Sequence, residues 1–264
     1  MDLQLSGHVA IVTGGGRGIG RAVARELTAE GAIAVIVGRR QHVLDETAKE
    51  LEAETGGRVV AIAADTTSTE SVRAMVGAAA GELGRIDILV NGAAAPSGLV
   101  RGPLEEADPD ALLDDLNTKV VGYFRCAQAV APYMKERRYG RIISIGGLTG
   151  RSSHALSGMR NLAVVHMTKV LSDQLGPFGV TVNTLHPGVV ETEHIRELYE
   201  AEAARQGITA RQVEQGFIDR TPIRRVLVPA EIGHAVGFLA SPRAGGITGE
   251  SLAIDGGLTR GIFV

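Results

Sequence analysis

A glycine-rich turn between an apolar run and a helical pattern, close to the start of the chain, most constrains what this sequence can fold into. Residues 9–12 are all apolar and predict a buried strand, and residues 13–20 form the turn. The helical pattern that follows places Ile19, Val23 and Leu27 on one face. Such a unit aims unpaired backbone N–H groups and the positive end of a helix dipole at one point, which suits a phosphate. The order of strand, turn and helix favours a bound dinucleotide, with a purely structural glycine turn as the alternative.

Composition and charge argue against several classes of protein. The length of 264 residues predicts one α/β domain over residues 1–264, because nothing in it resembles a linker. No apolar run reaches membrane-spanning length and the first residues lack a signal-peptide pattern, so we expect a cytoplasmic protein without a membrane partner. A formal net charge of -3 with 3% aromatic residues argues against a nucleic-acid partner. Cys126 is the single cysteine, which excludes an internal disulfide, and the sequence predicts no metal site.

Apolar runs alternate with helical patterns along most of the remaining chain. Regular alternation of this kind predicts a parallel sheet with right-handed crossovers. The predicted strands after the first are Ile33–Val37, Val59–Ala63, Ile86–Val90, Arg141–Ile145, Thr181–Leu185 and Ser251–Ile254. The predicted helices include Val43–Glu54, Ser71–Leu83, Asp110–Lys135 and Leu162–Leu175. We therefore expect an α/β fold of the doubly wound, Rossmann type, with helices on both faces of a mainly parallel sheet.

One region, residues 193–220, breaks this alternation with two helical patterns in succession. Thr209 and Gln212 fit a capping box at the start of the second pattern. We expect a helical substrate lid here, because ligands of open α/β sheets lie at the carboxyl ends of the strands. A pair of helices that only packs on the domain is the alternative.

Together these features resemble the short-chain dehydrogenase/reductase family over essentially the whole chain. The segments that carry the resemblance are the turn with Thr13, Gly14, Gly18 and Gly20, the Ala64-Asp65-Thr66 segment, the altered Asn91-Gly92-Ala93-Ala94 motif, the segment from Pro187-Gly188 to Thr192, and the ending at 249–257. The resemblance implies a seven-stranded sheet and an adenine contact from Asp65. It also implies cofactor contacts from the turn, Ile19, Asn91, Pro187, Gly188 and Thr192.

The residues after the second predicted strand bear on the choice of nicotinamide cofactor. An NAD site typically has a carboxylate here for the ribose 2′-hydroxyl, whereas this chain has Gly38. Arg39 and Arg40 can offer guanidinium groups to a 2′-phosphate, with Arg17 in the glycine turn as a further cation. The sequence therefore favours NADP(H), with NAD(H) as the alternative.

The positions that carry the chemistry in the family are all changed in this chain. The family uses a Tyr as acid and base, a Lys four residues later, a Ser and an Asn. In the register set by residues 157–169, Ser157 occupies the Tyr position and Asn161 the Lys position. Gly147 stands at the Ser position and Lys119 at the Asn position, and the loop before Ser157 is shorter than in the family.

Lys119 and Asn161 are a reciprocal exchange of the family's Asn and Lys. The resemblance implies that these side chains lie close together, so Lys119 would place an ammonium near the nicotinamide ribose; sequence drift without a joint role is the alternative. His154 and His186 are further candidate proton donors because histidine titrates near neutral pH. Ser157 is a hydrogen-bond donor but a poor acid alone.

Two functions are consistent with these sequence features and with the resemblance. The first is an NADP(H)-dependent oxidoreductase that transfers hydride to or from a small carbonyl or an activated double bond, with a rebuilt catalytic group. The second is a non-catalytic NADP(H)-binding protein, either a sensor or a partner subunit. A cofactor-free lyase or dehalogenase is disfavoured because the glycine turn is intact. The resemblance also implies a homo-oligomer, a tetramer or a dimer, formed through the helices near Asp110–Lys135 and Asn161–Leu175.

Overall fold

The computed structural model describes residues 2–94, 100, 103–151 and 155–261 and contains a seven-stranded sheet in the order β3-β2-β1-β4-β5-β6-β7. Every neighbouring pair of strands is parallel. The strands are β1 (Val9–Thr13), β2 (Ile33–Gly38), β3 (Val59–Ala63), β4 (Ile88–Asn91), β5 (Gly140–Ile145), β6 (Val180–Pro187) and β7 (Ser251–Ile254). The helices are α1 (Gly18–Ala29), α2 (Gln41–Thr55), α3 (Thr69–Leu83), α4 (Pro109–Leu116), α5 (Gly122–Arg137), α6 (Gly158–Leu175), α7 (Glu193–Gln206), α8 (Ala210–Arg220) and α9 (Pro229–Ala240). The predicted fold class is confirmed.

The sheet is covered on both faces, as its apolar strands require. Along β1, Ala10 and Val12 belong to one hydrophobic core, while Val9 and Ile11 belong to the other. This alternation follows from the period of two in a strand, which sends successive side chains to opposite faces. Because β1 has β2 on one side and β4 on the other, the chain changes direction between β1 and β4, and a crevice opens there at the carboxyl ends of the strands.

The prediction of one continuous helix at Asp110–Lys135 is wrong, because a π-helical turn at Asn117–Val121 divides this segment into α4 and α5. A π turn has one residue more than an α turn, and the apolar period of the sequence does not reveal such a change. The strand predicted at Ile86–Val90 is shifted, since β4 spans Ile88–Asn91. No helix in the described ranges is long and apolar enough to cross a membrane.

Candidate functional site

The glycine turn packs so closely that side chains are excluded at several of its positions. A Cβ on Gly20 would collide with the carbonyl oxygen of Gly14. Gly14 itself has a φ of +73°, and a Cβ there would lie 2.8 Å from the carbonyl oxygen of Gly92. Arg17, the residue before α1, is extended, and no side-chain hydrogen bond in the described residues caps the helix. The first N–H groups of α1 therefore face the crevice and can bind an anion.

A second helix begins beside this turn. Thr192 caps α7, since its hydroxyl oxygen accepts a hydrogen bond from the backbone N–H of Ile195 at 3.3 Å. A Cβ on Gly18 would lie 3.6 Å from Thr192 Cγ2, so the starts of α1 and α7 are neighbours. Two helix N-termini at one point give a positive potential that suits a diphosphate.

Thr13 and Asn91 shape the floor of the crevice at the ends of β1 and β4. Thr13 Oγ1 accepts hydrogen bonds from the backbone N–H groups of Gly92 and Ala93 at 3.0 and 3.3 Å, which fixes the segment after β4. The side chain of Asn91 is 1% exposed, and its Nδ2 lies 3.5 Å from Ser144 Oγ. Asn91 Oδ1 is buried and has no hydrogen-bond partner among the described residues, which leaves an acceptor for a ligand.

The end of β6 approaches β7 closely on the other side of the crevice. The backbone N–H of Gly188 donates to the carbonyl oxygen of Ile254 at 2.9 Å, and a Cβ on Gly188 would lie 2.8 Å from Cα of Asp255. Glycine is therefore required after Pro187. The predicted Pro187–Gly188 segment lies at the carboxyl edge of the sheet, where Gly188 continues directly from the last residue of β6.

The end of β2 is formed by Gly38, and arginines follow it directly. A Cβ on Gly38 would meet Leu44 at 3.5 Å, an ordinary van der Waals distance. Arg39, Arg40 and Arg17 are exposed, and none of them forms an ion pair with a carboxylate in the part of the chain that the structure describes. Their guanidinium groups are therefore available to an anion.

Asp65 follows β3 at the same edge of the sheet. Its Oδ1 accepts hydrogen bonds from the backbone N–H and the hydroxyl of Thr67 at 2.9 and 2.7 Å. These bonds, with the positive charges of Arg39 and Arg125, lower the pKa of Asp65 below its usual value. Asp65 is therefore a carboxylate at neutral pH, held as an acceptor next to the arginines.

The predicted cofactor residues thus lie along one edge, in the order expected for a dinucleotide. Asp65 and the arginines lie at one end of the crevice, the starts of α1 and α7 at its middle, and Asn91 and Gly188 at the other end. The orphaned Asn91 Oδ1 and the uncapped start of α1 each lack a partner that a dinucleotide would supply. The residues present therefore fit such a group.

Lys119 lies in the π turn with its ammonium inside the protein. The residue is 5% exposed, and Nζ donates a hydrogen bond to the carbonyl oxygen of Gly146, just after β5, at 2.8 Å. Burial lowers the pKa of Lys119 to about 8, because the charged form is poorly solvated. An amine with this pKa is largely protonated at pH 7 and can both donate a hydrogen bond and release a proton.

Asn161 approaches the same turn from α6. Asn161 Nδ2 donates to Thr149 Oγ1 at 2.7 Å, and a Cβ on Gly147 would lie 3.0 Å from that nitrogen. Asn161 Oδ1 is buried without a hydrogen-bond partner among the described residues. Lys119 and Asn161 therefore contact adjacent residues, Gly146 and Gly147, of one turn. Ser157 is buried, and its Oγ accepts a hydrogen bond from the backbone N–H of Val100 at 2.7 Å.

Of the two candidate histidines, the structure describes His186 but not His154. His154 lies outside the described residues. His186 is fully buried in β6, where Nδ1 accepts a hydrogen bond from the backbone N–H of Gly147 at 3.0 Å and Nε2 lies 2.8 Å from Ser251 Oγ. His186 therefore ties the turn after β5 to β7, and its ring nitrogens are engaged in that role rather than turned to the crevice.

Sequence reasoning missed two features next to Lys119. Arg160 Nη1 forms a buried ion pair with Asp115 Oδ1, which joins α6 to α4. The hydroxyl of Tyr123, fully buried in α5, donates to the carbonyl oxygen of Ile145 at 3.1 Å. The sequence carried only a weak signal for these residues. They are charged or polar side chains close in sequence to Lys119 and Asn161.

The helical pair α7 and α8 has its own small core. Tyr199, Ala203 and Val213 are buried against one another, with Ile195 and Phe217 packed beside them. The rings of Tyr199 and Phe217 stack with their centroids 5.8 Å apart. The predicted capping box is present, since Thr209 and Gln212 bond reciprocally. Within the described ranges, no group of His, Cys, Asp or Glu side chains could hold a metal ion.

Known proteins resemble this chain over nearly its full length. The sequence model of a family described as enoyl-(acyl carrier protein) reductase matches residues 14–259. The short-chain reductase protein NovJ of Streptomyces niveus is 35% identical over 254 residues, which cover 94% of this chain and 93% of that protein. The 3-oxoacyl-(acyl-carrier-protein) reductase FabG of Vibrio harveyi is 34% identical over 262 residues, covering 97% of this chain and 99% of that protein.

Solved structures also resemble this chain over nearly its full length. An actinorhodin polyketide ketoreductase variant with NADPH superposes with a TM-score of 0.90 at 32% identity, covering 99% of this chain and 100% of that one. L-sorbose reductase from Gluconobacter frateurii, complexed with NADPH and L-sorbose, superposes with a TM-score of 0.92 at 28% identity and the same coverage. Because sequence and structure both align along nearly the whole length of these relatives, the chain belongs to the short-chain dehydrogenase/reductase family.

Proposed function

We propose that this protein is an NADP(H)-dependent oxidoreductase that acts on a small carbonyl compound or an activated double bond, with Lys119 supplying the proton that a tyrosine supplies in the family. The observation that carries the proposal is the buried ammonium of Lys119 at the turn after β5. Lys119 and Asn161 stand at the family's Asn and Lys positions and contact adjacent residues of that turn. The relatives FabG and NovJ are reductases by name, which supports the reaction class.

The chain offers a complete set of groups for the cofactor. The diphosphate would lie between the glycine turn, with Gly14, Gly18, Ile19 and Gly20, and the cap Thr192. Asp65 would accept a hydrogen bond from the adenine, and Arg39, Arg40 and Arg17 would bind the 2′-phosphate. Asn91, Pro187 and Gly188 would border the nicotinamide, which when bound supplies or accepts the hydride. Two solved relatives contain NADPH, which supports this choice of cofactor.

Lys119 and Asn161 would have different roles at the nicotinamide end of the crevice. The Lys119 ammonium would stabilise negative charge on the substrate oxygen and donate a proton to it, directly or through water. Asn161 Oδ1, a buried acceptor without a partner in the described residues, would accept a hydrogen bond from a hydroxyl of the nicotinamide ribose. Ser157 would hold the segment before α4 through Val100 and donate a further hydrogen bond to the substrate. The helices at 193–220 would cover the substrate as a lid.

Turnover of a substrate panel tests this function. NADPH oxidation is measured with ketones, enones and enoyl thioesters, and we expect turnover with at least one class. A non-catalytic NADP(H)-binding protein is the second candidate, favoured by Ser157, which occupies the tyrosine position and accepts a hydrogen bond there. Tight NADPH binding without oxidation across the whole panel would support that candidate instead.

Cofactor preference gives the first mutational prediction. We expect NADPH to bind more tightly than NADH, and Arg39→Ala to reduce the difference by about tenfold, because a charge-assisted hydrogen bond to the 2′-phosphate is lost. NADH affinity should stay nearly constant. Calorimetric titration of both cofactors measures the effect, and Arg58→Ala is the control, since Arg58 precedes β3 at the opposite edge of the sheet. Equal affinities in the unmodified protein would contradict the prediction.

Association through the helices that flank the site gives the second prediction. Six large apolar side chains on these elements are at least 38% exposed: Leu113, Val121, Phe124, Met159, Leu162 and Val170. Apolar groups at this density on neighbouring helices favour a homo-oligomer, a tetramer or a dimer. We expect a multiple of the monomer mass by light scattering and a shift towards monomer for Phe124→Glu, but not for Ile208→Glu, which lies in the turn before α8. A monomeric mass at micromolar concentration would contradict it.

A further inference from the structure

Two helix segments with buried polar side chains meet at the candidate site. Asp115 and Lys119 lie about one turn apart on α4 and the π turn, whereas Arg160 and Asn161 lie in the first turn of α6 and Ser157 directly precedes that helix. None of these five residues is more than 7% exposed. We name them the polar seam. Burying so many polar groups in one place costs free energy, because each of them loses its hydration. Their presence therefore calls for a specific explanation.

The ion pair between Arg160 and Asp115 crosses this seam. Its side chains are 9% and 1% exposed, respectively. Asp115 Oδ2 and Arg160 Nε have no hydrogen-bond partner among the described residues, so the pair is only partly satisfied. A buried ion pair with unsatisfied atoms adds little stability over apolar side chains of similar size. Stability therefore does not explain why the pair is present.

The pair lies where it can restrain the lysine. Asp115 precedes Lys119 by about one turn, and the segment between them includes the start of the π turn. A π turn is irregular and does not by itself fix the direction of its side chains. Arg160 immediately precedes Asn161, so a link from Asp115 to Arg160 fixes the element that carries Lys119 against the element that carries Asn161.

We propose that Asp115 and Arg160 are positioning residues whose ion pair holds the Lys119 ammonium at the Gly146 carbonyl, opposite Asn161. The catalytic meaning of this position depends on the proposed function, whereas the position itself does not. The other titratable groups that the described residues bring to this turn are Tyr123, which binds Ile145, and His186, which binds Gly147. Neither of them contacts the ion pair through a hydrogen bond.

The state of Lys119 can be measured without any substrate. Acetic anhydride acetylates only the neutral amine, so the labelling of Lys119 at different pH values, measured by peptide mass spectrometry, gives its titration midpoint. The exposed Lys169 in the same chain is the internal reference. We expect a titration midpoint near pH 8 for Lys119, because burial lowers its pKa to about 8.

The deciding variant replaces both members of the pair with apolar residues, Asp115→Leu together with Arg160→Met. An apolar pair leaves no charge buried alone, so we expect the fold to survive. Release of Lys119 towards solvent should then raise its midpoint by about one pH unit or more and speed its labelling, because an exposed lysine has a pKa near 10.4. A folded double variant with an unchanged midpoint would overturn the proposal.

Two further variants keep the test decisive. Arg58→Met with Glu82→Leu removes an exposed ion pair at the far edge of the sheet and should leave the Lys119 midpoint unchanged. If the double variant does not fold, Arg160→Lys decides, since it keeps the charge but loses the guanidinium geometry; it should raise the midpoint in the same direction, and no change would overturn the proposal.

Turnover separates this proposal from the proposed function. With a substrate identified in the panel, the double variant should lower kcat by about tenfold or more, because Lys119 is no longer held at the turn after β5. A shifted Lys119 midpoint in a protein that oxidises no NADPH would support the positioning role and reject the proposed function.

Discussion

Lys119→Met is expected to lower kcat for NADPH oxidation by about 10²- to 10³-fold, because the ammonium that stabilises the substrate oxygen and supplies its proton is removed. Methionine matches the lysine stem in length and leaves no buried charge, so the fold should persist. The lost partner is the Gly146 carbonyl, which accepts from Nζ at 2.8 Å in the unmodified protein. Steady-state rates with the best substrate of the panel, together with thermal unfolding, measure both effects.

Lys169→Met is the matched control for this variant. Lys169 is also on a helix next to the site, two turns after Asn161 in α6, but its side chain is exposed. The same substitution there removes an ammonium without touching the turn after β5, and kcat should change by less than about twofold. Equal losses in the two variants, or full activity of Lys119→Met, would reject Lys119 as the catalytic group.

The pH dependence of the reduction follows from the lowered pKa of Lys119. The lysine carries its proton below a pKa of about 8 and loses it above that value. We therefore expect kcat for reduction to be highest below this pH and to fall as pH rises through it. Lys119→Met should remove this decline along with most of the rate. A decline that remains unchanged in the variant would assign the titration to another group.

The fold was predictable because its signals are local. The glycine turn, the continuous apolar strands and the helical periods each lie within a short window, and together they specify the order of β and α elements. The strands Val59–Ala63 and Ser251–Ile254 have the predicted bounds. The positions of Gly14 and Gly20 follow from close backbone contacts that exclude larger residues, which is why a sequence pattern records them.

The interior of the site was not predictable in the same way, because its contacts join distant parts of the chain. Lys119 binds a carbonyl 27 residues later, and Arg160 pairs with Asp115 across 45 residues. No periodicity encodes such pairs. The π turn also escaped prediction, since one extra residue in a turn does not disturb the apolar pattern of the helices on either side. The catalytic roles of Lys119, Asn161 and Ser157 stay predictions for the experiments above.

Gly38→Asp is expected to reverse the preference between NADPH and NADH. A carboxylate at the end of β2 would accept hydrogen bonds from the ribose hydroxyls of NADH and would repel a 2′-phosphate. The backbone tolerates a side chain at this position, since a Cβ on Gly38 would meet Leu44 at 3.5 Å, an ordinary contact. Each charge-assisted interaction gained or lost changes affinity by about ten- to a hundredfold, so the ratio of the two Kd values should change by about a hundredfold or more.

The effect of the charge can be separated from the effect of the added side chain. Gly38→Ala adds the Cβ alone and should leave the NADPH preference intact, because that atom makes only an ordinary contact with Leu44. Calorimetric titration of both cofactors with the two variants measures the difference. Arg39 remains in both proteins, so a reversal in Gly38→Asp alone would assign discrimination to the charge at this position. An unchanged ratio in Gly38→Asp would show that the 2′-phosphate does not lie at the end of β2, and the arginines there would lose their proposed role.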